Sequence, residues 1–157
     1  MSIIIDGKSH CAVCRKVIRA GERLVAFSAF VLNEKDPLWQ FSDEAFHESC
    51  FLSQPRAQQA KRCYELLKDE CGPERRICRE CGGLITNPDD YFCTGYLTDE
   101  PSDLLYQFNR VQLHQRCVSR WRGLSPLYST LRDYQETGRW TGKAAVRLIN
   151  HLRTFLR

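Results

Sequence analysis

Eight cysteines and histidines fall into two sets of four, separated by one constant step along the chain. Cys11, Cys14, His47 and Cys50 form the first set, and Cys78, Cys81, His114 and Cys117 follow, each 67 positions further on. No gap is needed to bring the sets into register, so the chain reads as an internal duplication of CxxC-x32-HxxC. A fixed repeat of this kind constrains architecture before any local propensity does. Residues between the ligands keep the same step: Ile18 falls on Ile85, Leu38 on Leu105, Gln40 on Gln107 and Phe41 on Phe108. Trp39 lies over Tyr106, Phe46 over Leu113, and Gly21-Glu22 over Pro88-Asp89.

The spacing suits a metal ion. A CxxC turn brings two thiolates to one side of a cation, and an HxxC at the start of a helix presents its two donors on one face, because i and i+3 are neighbours there. Each repeat therefore supplies a complete Cys3His shell, and three soft thiolates favour zinc. A catalytic zinc keeps one position open, whereas a shell closed by four protein donors is structural. Two structural zinc ions are expected, bound by Cys11, Cys14, His47 and Cys50 and by Cys78, Cys81, His114 and Cys117. With about 65–70 residues per repeat, each core is small, and the metal would supply much of the stability.

Composition narrows the class. Nine cysteines, an odd number, with no secretion signal in the opening Met1-Ser2-Ile3-Ile4-Ile5-Asp6, argue for reduced thiols in a cytoplasmic, reducing compartment. No apolar run approaches the ~18–20 residues of a membrane span, and the stretch Leu24–Leu32 is strand-length and broken by Ser28.

The pattern predicts an α+β chain of two modules, residues 1–72 and 73–157, the second with a C-terminal helical extension. In each module a hairpin should follow the CxxC. Its first strand is expected near Arg23–Leu32 and Asp90–Thr98, its second near Leu38–Phe41 and Leu105–Phe108. A helix follows the first HxxC, with Pro55 near its start, Ala57, Ala60, Tyr64 and Leu67 on one face, and Cys71-Gly72-Pro73 as its stop. Helices are expected around Cys117–Trp121, over Leu127–Glu136, and over Gly142–Leu156. The last is capped by Thr141 and buries Ala145, Leu148, Ile149, Leu152 and Leu156.

A zinc knuckle, a hairpin and a helix carrying the last two ligands make a treble clef, and the sequence resembles known fingers of that kind. Cys11-Ala-Val-Cys14…His47-Glu-Ser-Cys50 and Cys78-Arg-Glu-Cys81…His114-Gln-Arg-Cys117 are similar, in ligand order and long spacer, to the tandem DNA-break-sensing fingers of the poly(ADP-ribose) polymerase type. Phe46-His47-Glu-Ser-Cys50-Phe51 also looks like the middle of a LIM module. The resemblance covers Cys11 to Cys117 and implies the fold; treble clefs serve many unrelated functions.

Charge placement bears on the partner. The net charge is +4, but residues 124–157 alone carry six Lys/Arg against two Asp/Glu, while both zinc-binding stretches are slightly acidic. The hairpin loops, which the resemblance would place against DNA, hold Glu34 and Asp36, then Asp99, Glu100 and Asp103, and carboxylates repel phosphate. A protein partner is therefore expected first, at the apolar loop residues Leu38, Trp39, Leu104 and Leu105 and at Trp121 and Trp140. Such a chain would act as an adaptor, inhibitor or immunity-type module. The alternative is nucleic acid bound by Arg139, Lys143, Arg147, Arg153 and Arg157.

No enzyme is expected, and no small-molecule substrate. An HNH-type nuclease needs histidines beyond the metal shell, and only His10 and His151 are spare. A zinc deaminase places H-x-E before its CxxC, the reverse of the order here. No glycine-rich phosphate loop is present. Of the three remaining cysteines, Cys63 and Cys93 read as buried structural residues; Cys71, just before Gly72-Pro73, is the candidate for exposure, with a reactive thiol there as the minor reading.

Overall fold

The computed structural model describes residues 4–156. Strand β1 (Leu24–Ala26) pairs antiparallel with β2 (Ala45–His47), in the register Leu24↔His47 to Ala26↔Ala45. Helices α1 (Glu48–Leu52) and α2 (Ala57–Cys71) follow. The second half repeats the plan with β3 (Tyr91–Cys93), β4 (Gln112–His114), α3 (Gln115–Val118) and α4 (Leu124–Glu136), and α5 (Lys143–Thr154) closes the chain. The architecture is mixed, α+β, with two small antiparallel sheets.

The step of 67 governs the backbone itself. The bridge His10↔Val17 recurs as Ile77↔Leu84, and the left-handed residues Arg15 and Asp43 recur as Gly82 and Arg110. It also runs past the ligands: Ala57 and Leu124 open the long helices α2 and α4. Among the described residues, α5 has no counterpart in the first half.

The second strand of each hairpin differs from expectation. Residues 38–41 and 105–108 lie in a tight 3-10 turn over Trp39–Phe41 and Tyr106–Phe108. Burial explains this: Leu38 is 1% exposed and Phe41 fully buried, three residues apart, while Trp39 between them is 37% exposed. That is the period of a three-residue turn, not of a strand. Asp36 starts the turn by accepting the Leu38 N–H on Oδ1 at 2.7 Å, and Asp103 does the same for Leu105 at 2.8 Å. The pairing strands lie further on, where Phe46 and Leu113 point into the core between less buried neighbours.

Two apolar cores result. The first is aromatic: Phe27, Phe41, Phe46 and Phe51 meet with ring centroids 5.4–6.4 Å apart, and Tyr64 of α2 stands edge-on to Phe27 at 5.1 Å. Such pairs add about 0.5–1.5 kcal/mol each beyond area burial. Helix α2 ends where Pro73 forces Gly72 into an extended conformation. The second core is larger and aliphatic, because α4 contributes Leu124, Leu127 and Leu131 and α5 adds Ala145, Ile149 and Leu152. Trp121 and Trp140 are buried within it, so neither is an exposed anchor. Helix α5 ends at Thr154, leaving Leu156 39% exposed rather than buried.

The halves interlock. Tyr96 leaves its own hairpin, bridges Val31 and sits 2% exposed in the first core, 6.0 Å from Phe30, where its hydroxyl donates to Asp36. Asn33 reaches the approach to α5: its Nδ2 donates to the Arg139 carbonyl, and its Oδ1 accepts the Thr141 N–H. Thr141 is therefore held by Asn33 and does not cap α5, whose N-cap is Gly142 at φ 106°. Among the described residues, no helix is long and apolar enough to cross a membrane.

Candidate metal centres

The CxxC segments sit in tight knuckles. Cys11 N–H donates to the Lys16 carbonyl, and the Arg15 N–H returns to Cys11. Cys78 N–H donates to Gly83 and Gly82 N–H returns to Cys78, so the turn repeats with glycine at the left-handed position. Each knuckle is sewn to the strand that delivers the histidine: Ala12 N–H donates to the Ala45 carbonyl, and Arg79 N–H to Gln112. His47 and His114 are then the N-caps of α1 and α3, with Cys50 and Cys117 three residues on, within the first turn.

These elements bring all eight sequence-predicted residues into two groups. In each, the four donor atoms lie within 4.8 Å of one another. Cys14 Sγ stands 3.4 Å from His47 Nδ1, and Cys81 Sγ stands 3.4 Å from His114 Nδ1. The S···N edge of a tetrahedral zinc site is about 3.6 Å, so the donor sets fit such an ion. His10 pairs with Val17 through the backbone and joins neither group.

The electrostatics of the thiols favour a cation. Burial works against ionising Cys11, but backbone N–H groups of Cys14, His47 and Val13 aimed at its sulfur outweigh this and hold it at about 6. Cys78 is likewise held at about 6, against burial, by the backbone of Cys81 and His114. Cys50 is pushed up to about 11, by burial and then by neighbouring Cys14 and Cys11. Three thiolates in so small a volume repel one another, and a divalent ion offsets that repulsion. The far nitrogen of His47 meets a carboxylate, Glu22, whose Oε2 lies 3.3 Å from Nε2. That contact orients the ring with Nδ1 toward the sulfurs.

One surface was not anticipated from sequence. Beside the first cluster, an open groove of about 930 Å³ is lined by Arg15, Lys16, Arg19 and Arg23, by the carboxylates Glu22 and Glu48, and by Cys14, His47 and Cys50 of the cluster. The matching positions in the second half are Gly82, Gly83, Thr86 and Asp90, so the second knuckle lacks these four cations. The signal was present in sequence as four basic residues within nine positions, diluted there by Glu22.

The other surfaces change in meaning. Leu38 and Leu105 are each 1% exposed and serve the cores, whereas Trp39 and Leu104 are exposed. The acidic loops are partly consumed internally: Asp99 pairs with Arg62 at 2.9 Å, and Asp103 accepts from Tyr134 and Arg139. Arg139 is further held over the Tyr134 ring at 3.9 Å. Lys143, Arg147 and Arg153 remain exposed on α5, and Arg157 lies outside the described residues. No protein-family model, curated protein or solved structure matches the chain.

Proposed function

We propose that both clusters are structural zinc sites in a tandem treble-clef protein, and that the protein is a non-catalytic module that binds another protein. The observation that carries this reading is the composition of the clusters. Each gathers four protein donors, one imidazole and three thiols, which fill a tetrahedron and leave no position for substrate. The metal would then hold each knuckle onto its hairpin and helix, as in the poly(ADP-ribose) polymerase-type fingers that the ligand order resembles.

The loops speak against break-sensing. Asp36, Asp99 and Asp103 are engaged in turns and in contacts between elements, and the exposed charges left at the hairpin tips are the carboxylates Glu34 and Glu100 beside the one cation Lys35. What they leave outside is Trp39, Leu104 and Tyr106, the last two 61% and 41% exposed. Exposed aromatic and aliphatic side chains of this kind supply the anchors of protein interfaces.

A second reading, nucleic-acid binding, has one specific support: the cationic groove of Arg15, Lys16 and Arg19, together with exposed Lys143, Arg147 and Arg153. One experiment separates the two. Zinc-loaded protein is titrated with nicked, blunt-ended and single-stranded DNA at two salt concentrations. Absence of binding at low salt, where phosphate contacts are strongest, supports the protein partner. Binding that weakens steeply with salt and is lost in Arg15→Glu/Arg19→Glu would overturn it in favour of nucleic acid.

A further inference from the structure

Three cysteines lie outside the metal clusters. Cys63 is buried in the first core, and its thiol is pushed up to about 12 by burial. The other two face each other. Cys71 is the last residue of α2 and Cys93 the last of β3, and their sulfurs are 3.4 Å apart across the seam between the halves. Both are half-buried.

The surroundings fix this approach from both sides. Glu70, next to Cys71, pairs with Arg110 at 2.6 Å, and its carbonyl accepts from the Gln112 side chain at 2.7 Å. Gln112 is the partner of Cys93 in the strand register. On the other flank, Arg76 lies 4.2 Å over the Tyr91 ring and donates to the Cys71 carbonyl. The Gly95 N–H points at Cys93 Sγ from 3.3 Å. An S–S bond of ~2.05 Å needs each sulfur to move by less than about 1 Å.

We propose that Cys71 and Cys93 form a reversible disulfide, made by reaction with a hydroperoxide, that staples α2 of the first half to β3 of the second. The two thiols have unequal roles. Cys93 is held down to about 7, chiefly by the hydrogen bond from Cys71, against burial and with help from Tyr91 and the Gly95 N–H. Cys71 is pushed well up by that same neighbour and by burial. Cys93 is therefore the attacking thiolate and Cys71 the resolving thiol.

In the first step the Cys93 thiolate attacks one peroxide oxygen. The O–O bond breaks, Cys93 becomes a sulfenic acid, and the departing oxygen leaves as alcohol or water after taking a proton from solvent. In the second step Cys71 gives up its proton, its sulfur attacks that of Cys93, and the S–O bond breaks with release of water. Two thiols are oxidised, one peroxide is reduced, and a dithiol reductant restores the pair. Cys71, the candidate for exposure in the sequence, is half-buried and is the less reactive member.

The test is treatment of the full chain, zinc-loaded, with one equivalent of hydrogen peroxide, followed by alkylation and mapping of linked peptides by mass spectrometry. The expected result is a Cys71–Cys93 linkage that dithiothreitol reverses, with the midpoint of thermal unfolding raised by about 5–10 °C. In Cys71→Ser, dimedone should trap a sulfenic acid on Cys93. Peroxide consumption with no such linkage, or linkage among the cluster cysteines first, would overturn the proposal. Absence of a trapped sulfenic acid on Cys93 in Cys71→Ser would overturn the assignment of roles.

Discussion

Glu22 places Oε2 3.3 Å from Nε2 of His47, on the ring nitrogen opposite the one that faces Cys14. The Glu22 carboxyl is held below its usual range, first by the Arg19 N–H it accepts and, against burial, also by His47. At the matching place in the second half stands Asp89, exposed and turned into a short helix capped by Asn87. The two clusters therefore share donors but differ in support. Glu22→Ala should weaken zinc at the first site by about 10–100-fold. Asp89→Ala should change neither site. Competition with a chromophoric chelator, which resolves two sites of unequal affinity, reads both outcomes.

Cys11 is fully buried and belongs at once to the first cluster and the first core. Serine at this position supplies no thiolate, so Cys11→Ser should lower bound zinc from two ions per chain to one. It should also loosen the packing of Phe41, Phe46 and Phe51, seen as lost aromatic circular dichroism. Elemental analysis gives the stoichiometry directly. Two zinc ions retained by the variant would show the ligand assignment to be wrong.

Much of this site was legible because metal ligation is unforgiving: one offset relating eight residues leaves little freedom in where a knuckle and a helix start can lie. The strands were less legible. Leu38-Trp39-Gln40-Phe41 has the composition of a strand, but the Asp36-Pro37 start commits it to a turn, and the true second strand, Ala45–His47, is only three residues long. Packing between the halves was not legible at all. Nothing local marks Tyr96 as part of the first core, or Trp140 as buried beneath a segment tied to Asn33. Likewise Cys71 and Cys93 lie 22 residues apart in sequence, and only the pairing of the halves brings them into contact.

Asn33 ties the first half to the segment leading into α5. Its Oδ1 accepts from Thr141 at 3.0 Å and Lys35 at 3.2 Å, and its Nδ2 donates to Arg139 at 3.0 Å. Asn33→Ala removes all three bonds and takes the side-chain acceptor from the part-buried Thr141 N–H. The expected cost is about 1–2 kcal/mol, or roughly 3–6 °C in the unfolding midpoint. Hydrogen exchange should rise in α5 before it rises in α2. Equal effects on both helices would mean that Asn33 acts through the fold as a whole and not through this junction.

Asp36 gives the seam a pH dependence. Burial pushes its carboxyl above the ordinary range, although the Leu38 N–H and the Tyr96 hydroxyl it accepts pull the other way. The folded chain thus holds the Asp36 proton more tightly than the unfolded chain does. Its contribution to stability is complete below the ordinary aspartate value of ~3.9 and is lost as pH rises through the higher folded value. Asp36→Asn keeps an acceptor for Leu38 but cannot ionise. Urea melts of the two proteins, run in parallel at steps from about pH 3.5 to 7, should show the natural chain losing stability relative to the variant as pH rises. Protonation of the cluster thiols is common to both and cancels in the difference. A difference that moves the other way would mean that the hydrogen bonds to Leu38 and Tyr96, and not burial, dominate the carboxylate.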